Sequence, residues 1–193
     1  MIRRSWLVPL AGVLALTGIA LGIALSRGGD STKVAASGGS HLQDRFALLS
    51  ERDSNQCSLA ATNLDRLATH GRLQGSCCFP MDYRSYAHQV RELKRRYATV
   101  DVIPKDPYDI PVGLAKRLIG YGSIKLTPTQ QRTYEGAKLL SETKGPCCCR
   151  CWRWTAFSGQ AKYLIARRRF SARQIAEVWS LEEGCGGPSH EHV

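Results

Sequence analysis

Apolar residues recur through the middle of the chain at helical spacing. Tyr83, Tyr86, Val90, Leu93 and Tyr97 are separated by 3, 4, 3 and 4 residues, which places all five on one face of a helix. Pro80 suits the start of that helix, and Arg84, Arg91 and Arg95 fall on another, solvated face. Leu42, Phe46 and Leu49 mark a shorter amphipathic segment, as do Leu59, Leu64 and Leu67. Thr127-Pro128-Thr129-Gln130 is a capping box with proline at the first helical position. It predicts a helix that buries Tyr134, Ala137 and Leu140 and ends before Gly145-Pro146. A further helix carries Phe157, Ala161, Leu164 and Ile165. Ser171-Ala172-Arg173-Gln174 is a second capping box, ahead of Ile175, Val178 and Trp179, with Gly184 as the stop. Between these helices, the prolines of TVDVIPKDPYDIP forbid a regular helix and predict an extended connector packed on the surface. Alternation of period two is nearly absent. The predicted fold class is all-α: a small, cysteine-rich helical domain carried on a single N-terminal transmembrane helix.

That transmembrane helix is read from Ser5 to Leu25, 21 residues without a charge. At about 1.5 Å per residue such a helix covers the roughly 30 Å hydrocarbon core of a bilayer. Arg3 and Arg4 precede it and favour a cytoplasmic N-terminus. A cleaved signal peptide ending at Ala24-Leu25-Ser26 is the competing reading. The chain then divides into an anchor over 1–26, a flexible Gly/Ser-rich linker over 27–41 and a helical cysteine-rich domain over 42–193. The expected location is the cell membrane, single-pass, with the domain extracytoplasmic.

Composition narrows the classes further. With 193 residues and 43% apolar content, the chain holds enough core for one domain and is not a disordered tail. Lys and Arg number 27 against 16 Asp and Glu, a net charge of +11. Two basic clusters, Arg91, Lys94, Arg95, Arg96 and Arg167, Arg168, Arg169, Arg173, lie on predicted helices. Outside a membrane they point to anionic lipid or envelope polymers rather than nucleic acid, with a merely solvated basic face as the plainer alternative. No nucleophile-elbow, His-Glu-x-x-His or phosphate-loop pattern occurs, so the role is read as non-enzymatic.

The chemistry lies in eight cysteines: Cys57, Cys77, Cys78, Cys147, Cys148, Cys149, Cys151 and Cys185. Four crowd into the five residues from Cys147 to Cys151, where neighbours bridge one another only with strain. Each of those four has a distant partner available, so a disulfide-stapled, non-catalytic interaction module is one reading. The sharper one is a thiolate metal site. Cys147, Cys149 and Cys151 form a Cys-x-Cys-x-Cys array with Cys148 inside it, and soft thiolates at this density suit copper(I) or zinc, copper first. If Pro146 opens a helix, Cys147 and Cys151 share one face with Cys148 close by, and Arg150 and Arg153 favour thiolate. Cys77 and Cys78, or Cys185 with His190 and His192 in the C-terminal tail, are the residues that would complete the site. A metal-donor or acceptor protein is the implied partner. A thiol–disulfide redox protein is a third reading, because Cys148-Cys149-Arg150-Cys151 contains a Cys-x-x-Cys, although no strand is predicted before it. One cramped run is also poorly suited to an iron–sulfur cluster, which takes spread thiolates.

Pro146-Cys147-Cys148-Cys149-Arg150-Cys151 resembles the Pro-Cys-x-Cys-x-Cys core of bacterial envelope proteins known for a PCYCGCG motif. The resemblance extends to the serine-capped helix after Ser171 and covers about the last 50 residues. It departs where Cys148 replaces Tyr, where Arg150 replaces Gly, and in lacking that family's second His/Cys-bearing stretch. What it implies is an envelope-anchored, cysteine-rich, metal-binding protein, with Cys77, Cys78, Cys185 and His190 as substitutes for the missing ligands.

Overall fold

The computed structural model describes residues 31–187, with side chains described from His41 onward. Six α-helices follow in order: α1 Ser31–Ser50, α2 Tyr83–Tyr97, α3 Val112–Gly120, α4 Pro128–Leu140, α5 Trp152–Arg168 and α6 Ala172–Leu181. Two 3-10 turns, Ala61–Arg66 and Tyr121–Ser123, and two short strands, β1 Arg72–Gln74 and β2 Asp109–Pro111, complete the fold.

Helix α2 forms where the apolar spacing places it. Asp82 caps it by accepting from the Ser85 backbone N–H at 2.8 Å, and Tyr86, Val90, Leu93 and Tyr97 are buried. Arg84, Arg91 and Arg95 stay exposed. Both capping boxes are made in full, Thr127 with Gln130 on α4 and Ser171 with Gln174 on α6. Helix α4 packs chiefly on α6, with Tyr134 edge-on to Trp179 at 5.9 Å. It buries Ala137 and leaves Leu140 exposed, because Leu140 ends the helix and lies off the stripe that meets α6. The 59–67 segment forms only a 3-10 turn, which seats Leu64 in the core.

The expected all-α class is corrected in two respects. First, β1 and β2 pair antiparallel, with Leu73 opposite Ile110 and Gln74 opposite Asp109. The prolines that exclude a helix from 99–111 leave an extended backbone, and an extended backbone must find hydrogen-bond partners once buried. Buried it is: Val102, Ile103, Tyr108 and Ile110 all lie in the core, so the connector runs through the protein rather than over it. Second, the Ser5–Leu25 stretch read as a transmembrane helix lies outside the described residues, and among the described residues no helix is long and apolar enough to cross a membrane. The longest, α1, carries Ser, Thr, Lys, His, Gln, Asp and Arg along its length. The expectation of a single-pass membrane protein with an extracytoplasmic domain is corrected on that finding. Helix α1, Ser31–Ser50, takes in described residues of the stretch read as a linker and contains no proline to interrupt it.

Helix α5 is the axis of the domain. Trp152, Arg153, Ala156, Phe157, Gly159, Gln160, Ala161, Leu164 and Ile165 are all buried along it. It packs most extensively on α3, and Gly159 makes that approach attainable. A Cβ at position 159 would stand 2.0 Å from the Leu118 carbonyl oxygen. Gly159→Ala is therefore expected to lower stability by about 2–3 kcal/mol, the usual scale for forcing a methyl into a packed interface. Urea unfolding of the variant beside the parent measures it, and an unchanged midpoint would show that α3 and α5 can part freely.

Candidate metal centre

Four separate loops bring the eight cysteines together at the N-terminal end of α5. The first, 51–60, carries Cys57 and is pinned by Asn55. That buried side chain donates to the Gly75 carbonyl at 2.9 Å and accepts from the Trp152 indole N–H at 3.0 Å. The Trp152 backbone N–H in turn donates to the Leu59 carbonyl at 2.9 Å. The second and fourth loops pair with each other. Cys77 N–H donates to the Gly184 carbonyl at 2.9 Å, Phe79 N–H to the Cys185 carbonyl at 2.8 Å, and Gly187 N–H to the Pro80 carbonyl at 2.7 Å. Gly186 permits this register at φ +77°, because a Cβ there would lie 2.0 Å from the Phe79 carbonyl oxygen. The third loop is the cysteine run itself, which is irregular rather than helical; α5 begins only at Trp152, with Cys151 as its N-cap residue. Pro146 does not open a helix, so Cys147 and Cys151 come together through loop geometry rather than through one helical face.

None of the eight cysteines is in a disulfide. Cys147, Cys151 and Cys185 are buried, Cys57, Cys77 and Cys149 half-buried, and Cys78 and Cys148 exposed. Sulfur–sulfur separations include 3.7 Å for Cys77–Cys185, 3.8 Å for Cys147–Cys185, and 3.9 Å for Cys147–Cys149, Cys148–Cys149 and Cys78–Cys149. Closer approaches join Cys57 to Cys78 at 2.7 Å, Cys57 to Cys149 at 2.9 Å and Cys148 to Cys185 at 2.9 Å. Cys151 reaches Cys149 at 4.0 Å. For a metal–sulfur bond of about 2.3 Å, sulfurs sharing one ion are about 3.8 Å apart in a tetrahedron and about 4.0 Å in a trigonal plane. The wider separations match those edges. Sets of sulfurs that lie mutually within 4.8 Å include Cys57, Cys77, Cys78 and Cys149; Cys77, Cys147 and Cys185; Cys78, Cys148 and Cys185; and Cys147, Cys148 and Cys149. Each set is able to hold a metal ion.

A buried cation faces this cluster. Arg153, in the first turn of α5, is fully buried, and its guanidinium donates to the Pro107 carbonyl at 2.9 Å and to the Glu182 carbonyl. The rings of Trp152 and Phe157 flank it at 5.5 and 5.1 Å. The Cys147 and Cys185 sulfurs attract it when they are thiolates. Hydrogen bonds from Cys147, then Cys77, bring the Cys185 thiol down to about 3, with Arg153 adding attraction. A hydrogen bond from Cys151 brings Cys147 down to about 6. The thiols that donate or are simply buried go the other way. Cys77 and Cys151 are raised chiefly by hydrogen bonding to Cys147, Cys148 and Cys149 by burial, and Cys78 by burial to about 12. Such a set gives up its first protons readily and the remainder only when positive charge arrives.

Of the residues singled out from sequence, Cys77, Cys78, Cys147, Cys148, Cys149, Cys151 and Cys185 lie in this cluster, while His190 and His192 lie outside the described residues. Cys57 was not among the expected ligands, and it joins Cys77, Cys78 and Cys149. Its only sequence signal was the even count of eight. Arg153 was expected to favour thiolate from a helix N-terminus, and it does face the sulfurs, but as a buried group.

Beside Arg153, the Glu182 carboxyl is fully buried and accepts from the Gln160 side-chain amide. Burial raises it from the ordinary 4.5 to about 8. The folded protein thus holds this proton more tightly than the unfolded chain does. That contribution to stability is complete below about pH 4.5 and is lost as pH rises through about 8. Glu182→Gln keeps the acceptor for Gln160 and is expected to flatten the stability curve between pH 5 and 8.5 while changing it little at the acid end. Denaturant unfolding at both pH values reads the difference; an unaltered slope would show that Glu182 is ionised against Arg153 instead.

No family model, curated protein or solved structure matches this chain.

Proposed function

We propose that the protein holds and hands over a thiophilic metal ion, copper(I) in preference to zinc, and is not an enzyme. The observation that carries this reading is the grouping of the sulfurs: Cys57, Cys77, Cys78 and Cys149 make a set of four, and the other sets named above hold three. Structural zinc sites are closed tetrahedra of four ligands, whereas copper(I) is content with few soft thiolates. The set Cys57, Cys77, Cys78 and Cys149 is the one that suits zinc. Sulfurs this close crowd onto single ions or bridge adjacent ones, and leave no space for irons and inorganic sulfide between them. The buried Arg153 supports the same reading, since it supplies one positive charge to a site that would otherwise gather only thiolates. Cys78 and Cys148 are the exposed members, and a donor or acceptor protein would exchange the ion through them. A disulfide-stapled module expects its sulfurs in isolated pairs, whereas seven of the eight here each face two or more others within 4.0 Å.

The full chain, reduced and handled without oxygen, is expected to retain copper(I) against a chelator that strips zinc. Cys147→Ser combined with Cys185→Ser is expected to cut the retained metal by at least half. Elemental analysis beside a free-thiol count on the same sample checks both. A fully reduced chain that keeps neither ion overturns the reading.

A further inference from the structure

Every pair among the four sulfur sets shares one cysteine. Cys77 joins the first set to the second, Cys78 the first to the third, and Cys149 the first to the fourth. Cys185 joins the second to the third, Cys147 the second to the fourth, and Cys148 the third to the fourth. Four sites connected pairwise by six shared sulfurs have the connectivity of a tetrahedron, with one ion at each vertex and one bridging thiolate on each edge. From this connectivity we infer that the centre is a single tetranuclear copper(I)–thiolate cluster rather than a one-ion site with spare thiols. The inference rests on the metal-binding reading above and fixes the nuclearity of that same site.

In this arrangement Cys77, Cys78, Cys147, Cys148, Cys149 and Cys185 each bridge two ions, a role open to a thiolate because its sulfur has more than one lone pair. Cys57 belongs to one set only and serves as an additional, terminal ligand at its vertex. Cys151 belongs to none; it touches Cys149 at 4.0 Å and stands behind the cluster at the start of α5. The wider separations, 3.7 to 3.9 Å, lie at or just below the edges, about 3.8 to 4.0 Å, of a metal–sulfur unit. Cys148–Cys185 at 2.9 Å is the bridging pair that has to open as the ions enter.

Charge selects the ion. Assembly is a proton exchange without redox change: four copper(I) ions displace the protons of the six bridging thiols and of Cys57 to solvent and leave a cluster of charge minus three. Four zinc ions on the same seven thiolates would carry plus one. Arg153 is buried against these sulfurs and donates to the Pro107 and Glu182 carbonyls, so it attracts the first cluster and repels the second. Sharing also explains why no set stands apart: filling one vertex deprotonates three sulfurs, each of which is already half of a neighbouring site, so later ions bind to preformed thiolates.

The test is native mass spectrometry of the reduced full chain titrated anaerobically with copper(I) held by a weak ligand. The expected result is a spectrum dominated by metal-free and four-copper species at half loading, and X-ray absorption of the loaded chain with a copper–copper scattering shell. Cys57→Ser is expected to keep four ions, and Cys185→Ser, which removes a bridge, to lose the all-or-none pattern. Saturation at one copper with no copper–copper shell overturns the tetranuclear inference and leaves the metal-binding reading standing. A reduced chain that retains no copper overturns both.

Discussion

The guanidinium of Arg153 is the group on which the rest of this structure turns. A cation this deeply buried, with carbonyl oxygens as its hydrogen-bond acceptors, is costly unless negative charge faces it. Its two carbonyl acceptors come from the proline-rich connector, at Pro107, and from the end of α6, at Glu182. Its flat faces meet Trp152 and Phe157 on its own helix. One side chain thus fastens three distant stretches of chain around the end of α5. The sulfurs of Cys147 and Cys185, the two thiols whose acidity is raised, supply the negative groups that face it. Glu182, raised by burial to about 8, stays protonated at neutral pH and does not compete for the guanidinium.

The helices act as a frame for loops. Helices α3 and α5 close on each other at Gly159, and α4 and α6 cover the far side. This leaves the N-terminal end of α5 fixed while four irregular segments converge on it. Irregular backbone is affordable there because its polar groups are paired between loops: 77–79 with 184–185, 187 with 80, and 57 with 77. Helical cysteines would have been held at fixed spacings along one face. Loop cysteines from four directions surround a point instead, which is what a ligand set requires.

Helical structure was largely legible in the sequence because it repeats. The 3-4-3-4 spacing from Tyr83 to Tyr97 and the two capping boxes each state a period or a boundary within a few residues. The sheet was not legible, since three-residue strands show no alternation, and the prolines that signal "not a helix" do not say which extended partner Asp109–Pro111 will find. The connector between its prolines is apolar enough to be buried, and was read as surface only because proline-rich segments commonly run there. The density of the Cys147–Cys151 run pointed to thiolate chemistry. Its placement did not, because the run was read as a helix turn and is a loop. Cys57 stands alone in a polar segment, and only the fold of the Asn55 loop brings it to Cys78 and Cys149.

Burial across the cluster is graded, and the gradient bears on how ions move. Cys185, Cys147 and Cys151 lie under the surface beside Arg153, while Cys78 and Cys148 face solvent and each approaches a deeper sulfur, Cys149 and Cys185 respectively. An ion entering from solvent would therefore meet neutral, exposed thiols before the sulfurs that Arg153 and mutual hydrogen bonding favour as thiolates. If the centre holds a metal as proposed, exchange of one sulfur for the next would need no bare ion, since each sulfur on this path has a neighbour within 4 Å. A rigid four-ligand cage would offer no such path, so an exposed edge would suit both holding and release.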